Sequence, residues 1–123
     1  MSASLVARAI NAGRLAFGVG MMVVPEKVMG AWIGESEAAR PAMKMVVRSF
    51  GMREIVLGGL GLHVADRPGV GPRTIQTLAL CDLVDAGVTV ASRRDLPSSA
   101  LPIMLGVAGG AAAAQTWAAR ELA

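Results

Sequence analysis

Four apolar segments divide this chain, at about residues 4–24, 41–65, 73–92 and 101–122. Each is close to the roughly 20 residues that a helix needs to cross hydrocarbon. Six ionisable side chains nevertheless lie inside the first three: Arg14, Arg48, Arg53, Glu54, Asp82 and Asp85. Three are basic and three acidic, so the set can neutralise itself. On insertion scales each such charge at mid-membrane costs about 2.5–3.5 kcal/mol, and six unpaired ones on the order of 15–20 kcal/mol. That is as large as the whole net stability of a small domain, roughly 5–15 kcal/mol. The charges must therefore pair, or lie near a headgroup layer.

Composition favours the membrane reading. Of the 123 residues, 54% are hydrophobic and only 17% charged, against about 25% charged in soluble domains. A soluble chain this short has a large surface for its volume and needs more polar residues. The 15 glycines and the many alanines suit helices that pack backbone to backbone in lipid. A soluble helical domain with a large core is the competing reading. The length allows a single domain, residues 1–123. The net charge of +3 is spread along the chain, and four aromatics make no stacking platform, so nucleic acid is not expected as a partner. The lone Cys81 excludes an internal disulfide and reads as a small apolar residue.

The fourth segment is expected to be the one that meets a strict spanning criterion, because Leu96–Ala119 contains no charge. Gly106, Gly110, Ala114 and Ala118 recur on it every four residues, a small-residue ridge for packing on a neighbouring helix. Ala12, Ala16 and Gly20 form a similar row on the first segment. Pro25 ends that segment, and Glu26–Glu37 reads as a short interfacial helix or re-entrant loop. Trp32 and Trp117 suit a lipid–water boundary. On the third segment Asp82 and Asp85 share a face that Thr89 and Ser92 continue; Leu80, Leu83, Val84, Val88 and Ala91 fall on the other side. The two Asp residues are expected to accept hydrogen bonds from Arg14, Arg48 or Arg53, because a guanidinium holds a carboxylate with two parallel donors. Lys44 and Arg48 are also placed for headgroups at the start of the second segment.

Catalytic signatures are not visible. Ser98-Ser99 has no paired His, and Gly58-Gly59-Leu60-Gly61 lacks the spacing and the Lys of a phosphate loop. His63 stands without metal-ligand spacing around it. No enzyme activity, cofactor or metal is expected. Basic residues between the segments (Arg8, Arg67, Arg73 and Arg120 on one side; Lys27, Arg40, Arg93 and Arg94 on the other) nearly tie, so orientation stays open.

The stretch Arg48-Ser49-Phe50-Gly51-Met52-Arg53-Glu54-Ile55-Val56-Leu57-Gly58, with Gly13-Arg14, Trp32-Ile33-Gly34 and Asp82-Leu83-Val84-Asp85, resembles an uncharacterised family of small four-helix bacterial membrane proteins of actinobacterial type. More distantly it is similar to DoxX-like four-helix membrane proteins. The resemblance covers most of the chain. It implies that Arg14, Arg48, Arg53, Glu54, Asp82 and Asp85 form a shared polar core, and it leaves room for a membrane subunit of a redox assembly. The expected molecule is an all-α, multi-pass bundle in the inner or plasma membrane, with the lipid bilayer as its surroundings. Its first expected role is that of a non-enzymatic accessory or scaffold subunit, in a homo-oligomer or a larger membrane complex. The alternative role is a small transporter or channel, or a lipid- or quinone-binding protein, working through the charged cluster.

Overall fold

The computed structural model describes residues 1–123, and they form helices and connections only, with 84% of residues helical. The elements are α1 (Ala3–Val23), α2 (Pro25–Ile33), α3 (Glu35–Ala38), α4 (Pro41–Val64), α5 (Val70–Ala91), α6 (Ala100–Met104) and α7 (Gly110–Leu122), with a π-helical turn at Leu105–Gly109 joining the last two. The long helices start where local chemistry allows. Ser2 caps α1 through a hydrogen bond from the Leu5 amide to its Oγ, 3.2 Å long. Pro41 occupies the first position of α4, and Gly71-Pro72 lie in the first turn of α5, where a missing N–H costs nothing. That tolerance is why α5 begins at Val70 rather than at Arg73.

Buried positions on α1 run Ala7, Asn11, Arg14, Gly18 and Met21. On α4 they run Val47, Gly51, Glu54, Gly58 and Gly61. Both series step four, three, four, three, which is the seam of two helices lying side by side over several turns. Glycine makes the seam tight. A Cβ on Gly18 would sit 2.6 Å from the Gly51 carbonyl oxygen, and one on Gly58 would sit 2.7 Å from that of Asn11. Higher numbers on α4 thus meet lower numbers on α1, so the two helices are antiparallel. The row Ala12, Ala16 and Gly20 expected from the sequence is not this seam: Ala12 and Ala16 are exposed. The 3.5-residue repeat, not the four-residue one, keeps a face on its partner over about four turns.

α5 and α7 complete the bundle. Ala7, Ile75, Leu78, Ala118 and Ala119 meet in one buried cluster. The fourth segment differs most from expectation. Its π turn inserts an extra residue into the helical ladder and rotates the residues C-terminal to it. Met104, Ala108, Ala112, Gln115, Ala118 and Ala119 are buried, whereas Gly106 and Gly110 are exposed, with no atom near enough to meet an added Cβ. Of the expected ridge, Ala118 alone is buried within the chain. The spanning criterion moves as well. The π turn leaves α6 and α7 each too short by itself, and α5, with mean hydropathy 1.3, is the one helix long and apolar enough to cross a membrane alone. α1 meets the same criterion only together with α2, from which it bends by 105°.

That bend lays α2 across one end of the bundle. Pro25 starts α2, and Gly34, with φ of 96°, takes a backbone conformation that side chains resist and separates α2 from α3. Two hydrogen bonds pin α2 down. Trp32 Nε1 donates to Thr89 Oγ1 on α5 at 2.9 Å, and Ser99 Oγ donates to the Ala31 carbonyl at 2.6 Å. Trp32 is therefore tied into the bundle, while Trp117 is exposed. Lys44 holds Glu26 at 2.8 Å and keeps its carboxyl below the usual range. At the opposite end Arg8 and Ser4 both bond to Asp66 in the α4–α5 turn, and those bonds hold its carboxyl down as well.

Small residues dominate the core, and many of the large apolar side chains lie on the surface. The buried apolar residues are mostly alanines, joined by Asn11, Arg14, Glu54, Asp82, Thr89 and Gln115. The exposed ones include Phe17, Val19, Met45, Met52, Val56, Leu60, Leu80, Leu83, Val84, Val88, Leu105 and Val107.

Candidate functional site

Arg14 is the centre of the buried polar residues. Its position opposite Glu54 follows from the α1–α4 seam, one turn from the Gly18–Gly51 approach. Nη1 donates to Glu54 Oε2 at 2.9 Å and Oε1 at 3.2 Å, and Nη2 donates to Asp82 Oδ1 at 2.5 Å. One guanidinium thus joins three helices. Its side chain is only 4% exposed. Gln115 of α7 donates through Nε2 to the other Asp82 oxygen at 2.7 Å, so a fourth helix joins. Asn11 donates through Nδ2 to the Ala7 carbonyl at 2.8 Å and contacts Gln115 Oε1 at 3.4 Å. Two buried polar atoms stay without a partner: Asn11 Oδ1 and Arg14 Nε.

A second ion pair flanks the first. Arg53 Nη2 lies 3.5 Å from Asp85 Oδ2 and 3.9 Å from Glu54 Oε1. Its guanidinium carbon stands 4.7 Å from the centre of the Phe50 ring, a cation–π contact. Five of the six ionisable residues singled out in the sequence are therefore contiguous. Arg48 is not among them. It is exposed, and its Nε donates to the Met22 carbonyl at 3.1 Å. Met22 lies in the last turn of α1, where carbonyls lack intrahelical donors, and Arg48 flanks the seam next to it. The corrected set drops Arg48 and gains Gln115 and Asn11. Gln115 had a signal in the sequence: it is the one amide in an otherwise apolar or small-residue run, and polar side chains on such helices turn inward.

These charges border a cavity of about 580 Å³. Arg14, Glu54, Asp82 and Asp85 are its charged residues. The rest of the wall is apolar: Ile10 and Phe17 from α1, Val28, Met29 and Trp32 from α2, Phe50 from α4, and Ile103, Met104, Val107 and several alanines from α6 to α7. α2 closes one side of it, so the Trp32 and Ser99 hydrogen bonds also position the wall. A largely apolar cleft of several hundred cubic ångströms with a few converging polar groups is the usual form of a small-molecule site. No three His, Cys, Asp or Glu side chains converge as metal ligands. His63 is exposed with Nε2 2.8 Å from Arg67, and Cys81 is a half-buried free thiol. No known protein family, curated protein or solved structure matches the chain.

Proposed function

We propose that this chain is a multi-pass inner-membrane protein that binds an amphipathic small molecule in the cavity above Arg14, Glu54, Asp82 and Asp85, without itself catalysing a reaction. The cavity carries the proposal: an apolar body fits its α1, α2 and α6–α7 walls while a polar head meets the charges. The large apolar side chains on the surface support the bilayer as surroundings. In water the exposed Val, Leu and Met residues of α4 and α5 would be a large unsatisfied apolar surface. In lipid they meet hydrocarbon, and the charges turn to one another.

A second reading keeps the expected accessory or scaffold role. It is favoured by the face of Gly106, which has open space where a neighbouring helix of another copy or of a larger complex would pack. The two roles are compatible. Native mass spectrometry of gently extracted protein tests the first. Wild type is expected to carry a small molecule that Ala111→Trp, which fills the cavity, no longer retains. Bare protein in both samples contradicts the binding role. Recovery of the chain in the aqueous fraction without detergent contradicts the membrane role.

A further inference from the structure

Resting on the cavity reading, we propose that the bound molecule is a lipophilic monocation, an ammonium head on an apolar body, and that Asp85 with Trp32 and Phe50 recognises the head.

The charges around the cavity are three carboxylates (Glu54, Asp82, Asp85) and two guanidiniums (Arg14 and, behind the wall, Arg53). α2 lines it with apolar side chains and Trp32, and α7 adds no charge to it. One negative charge is therefore left over in a largely apolar cavity. The hydrogen bonds say which of the three carboxylates is open to a ligand. Both Glu54 oxygens accept from Arg14, and the two Asp82 oxygens accept from Arg14 and Gln115. The Asp85 carboxylate accepts no hydrogen bond, and its charge partner Arg53 stands off at 3.5 Å while resting on Phe50. Asp85 is the acid with lone pairs still to give.

An independent observation points to the same ligand. The chain has four aromatic residues, and three of them, Phe17, Trp32 and Phe50, line this cavity. The Trp32 and Phe50 rings lie 6.0 Å apart and tilted by 53°, so they do not stack flat on each other. Aromatic faces beside a carboxylate are the chemistry that holds ammonium groups. An anionic head meets three carboxylates in the same wall.

The test uses three probes with one tail: decyltrimethylammonium, decanol and decanoate. Each is titrated into the full chain in nanodiscs of zwitterionic lipid, with empty discs subtracted. The cation is expected to bind tightest and decanoate weakest. Asp85→Asn is expected to weaken the cation by about tenfold, the scale of one nearby charge in a partly screened site, and to leave decanol unchanged. Arg53→Gln removes the competing cation and is expected to tighten decyltrimethylammonium several-fold. A purely structural ion pair would move all three probes alike in both variants. Decanol or decanoate binding as tightly as the cation overturns the proposal while leaving the cavity reading in place. No saturable binding of any probe overturns both.

Discussion

Adjacent glycines on α4 should respond to the same substitution with opposite sign. A Cβ on Gly58 would fall 2.7 Å from the Asn11 carbonyl oxygen, 2.8 Å from the Leu15 amide nitrogen and 3.1 Å from the Leu15 Cβ. Two of those atoms are backbone in the middle of a helix, so no rotamer change relieves the clash. α1 and α4 must separate, and overpacking of this kind costs about 1–3 kcal/mol. The gain in helix propensity on replacing Gly by Ala, about 0.5–1 kcal/mol, offsets part of it. A Cβ on Gly59 meets nothing within 4 Å, so Gly59→Ala keeps that gain whole. The expected difference between Gly58→Ala and Gly59→Ala is about 2 kcal/mol, or roughly thirtyfold in the folded-to-unfolded ratio. Unfolding by denaturing detergent in mixed micelles, followed by Trp fluorescence, measures it. Equal midpoints for the two variants would refute the close α1–α4 seam and with it the placement of Arg14 on Glu54.

Arg14→Met leaves Glu54 and Asp82 buried with their main partner gone, and is expected to cost about 3–5 kcal/mol. Adding Glu54→Gln and Asp82→Asn should recover much of that loss in the same unfolding measurement, and no recovery would mean that the charges are not what Arg14 serves. Trp32→Phe removes the hydrogen bond to Thr89, at a cost of about 1 kcal/mol. Its effect should appear as faster amide exchange confined to α2, and exchange spread evenly over the bundle would contradict the role of α2 as a strap. Asp66 has its carboxyl held down by Arg8 and Ser4. A folded value below the unfolded one means that the link is complete above the unfolded pKa and is lost as pH falls through the folded one. NMR of Asp66 should show titration below the ordinary carboxylate range, moving up toward that range in Arg8→Ala.

Much of the fold is legible in the sequence. Pro25, Pro41 and the turn around Asp66–Gly69 bound the long helices, because proline and glycine act locally on the backbone. The inward face of α5 is legible too: Asp82 and Thr89 are buried, while Leu80, Leu83, Val84 and Val88 point out. Features that depend on register between helices are not legible. Arg48 and Glu54 are both charged residues in the apolar second segment, yet Arg48 meets the last turn of α1 and Glu54 meets Arg14. Only the seam distinguishes them. The ridge from Gly106 to Ala118 fails for a different reason. A spacing of four assumes an unbroken α-helix, and the π turn at Leu105–Gly109 changes the phase within it. Trp32, marked as a boundary residue, becomes a wall of the cavity because α2 turns back by 105°, a tertiary event without a local signature.

The cavity as a ligand site can be tested most directly through the methionine methyl groups. Met29 and Met104 line the cavity, whereas Met45 and Met52 lie exposed on the outer surface of α4. With methyl-labelled methionine in nanodiscs, titration of an amphiphile that enters the cavity should shift Met29 and Met104 saturably and leave Met45 and Met52 at the drift seen with lipid alone. Shifts that are equal at all four, or confined to Met45 and Met52, would show that the amphiphile only coats the outer surface.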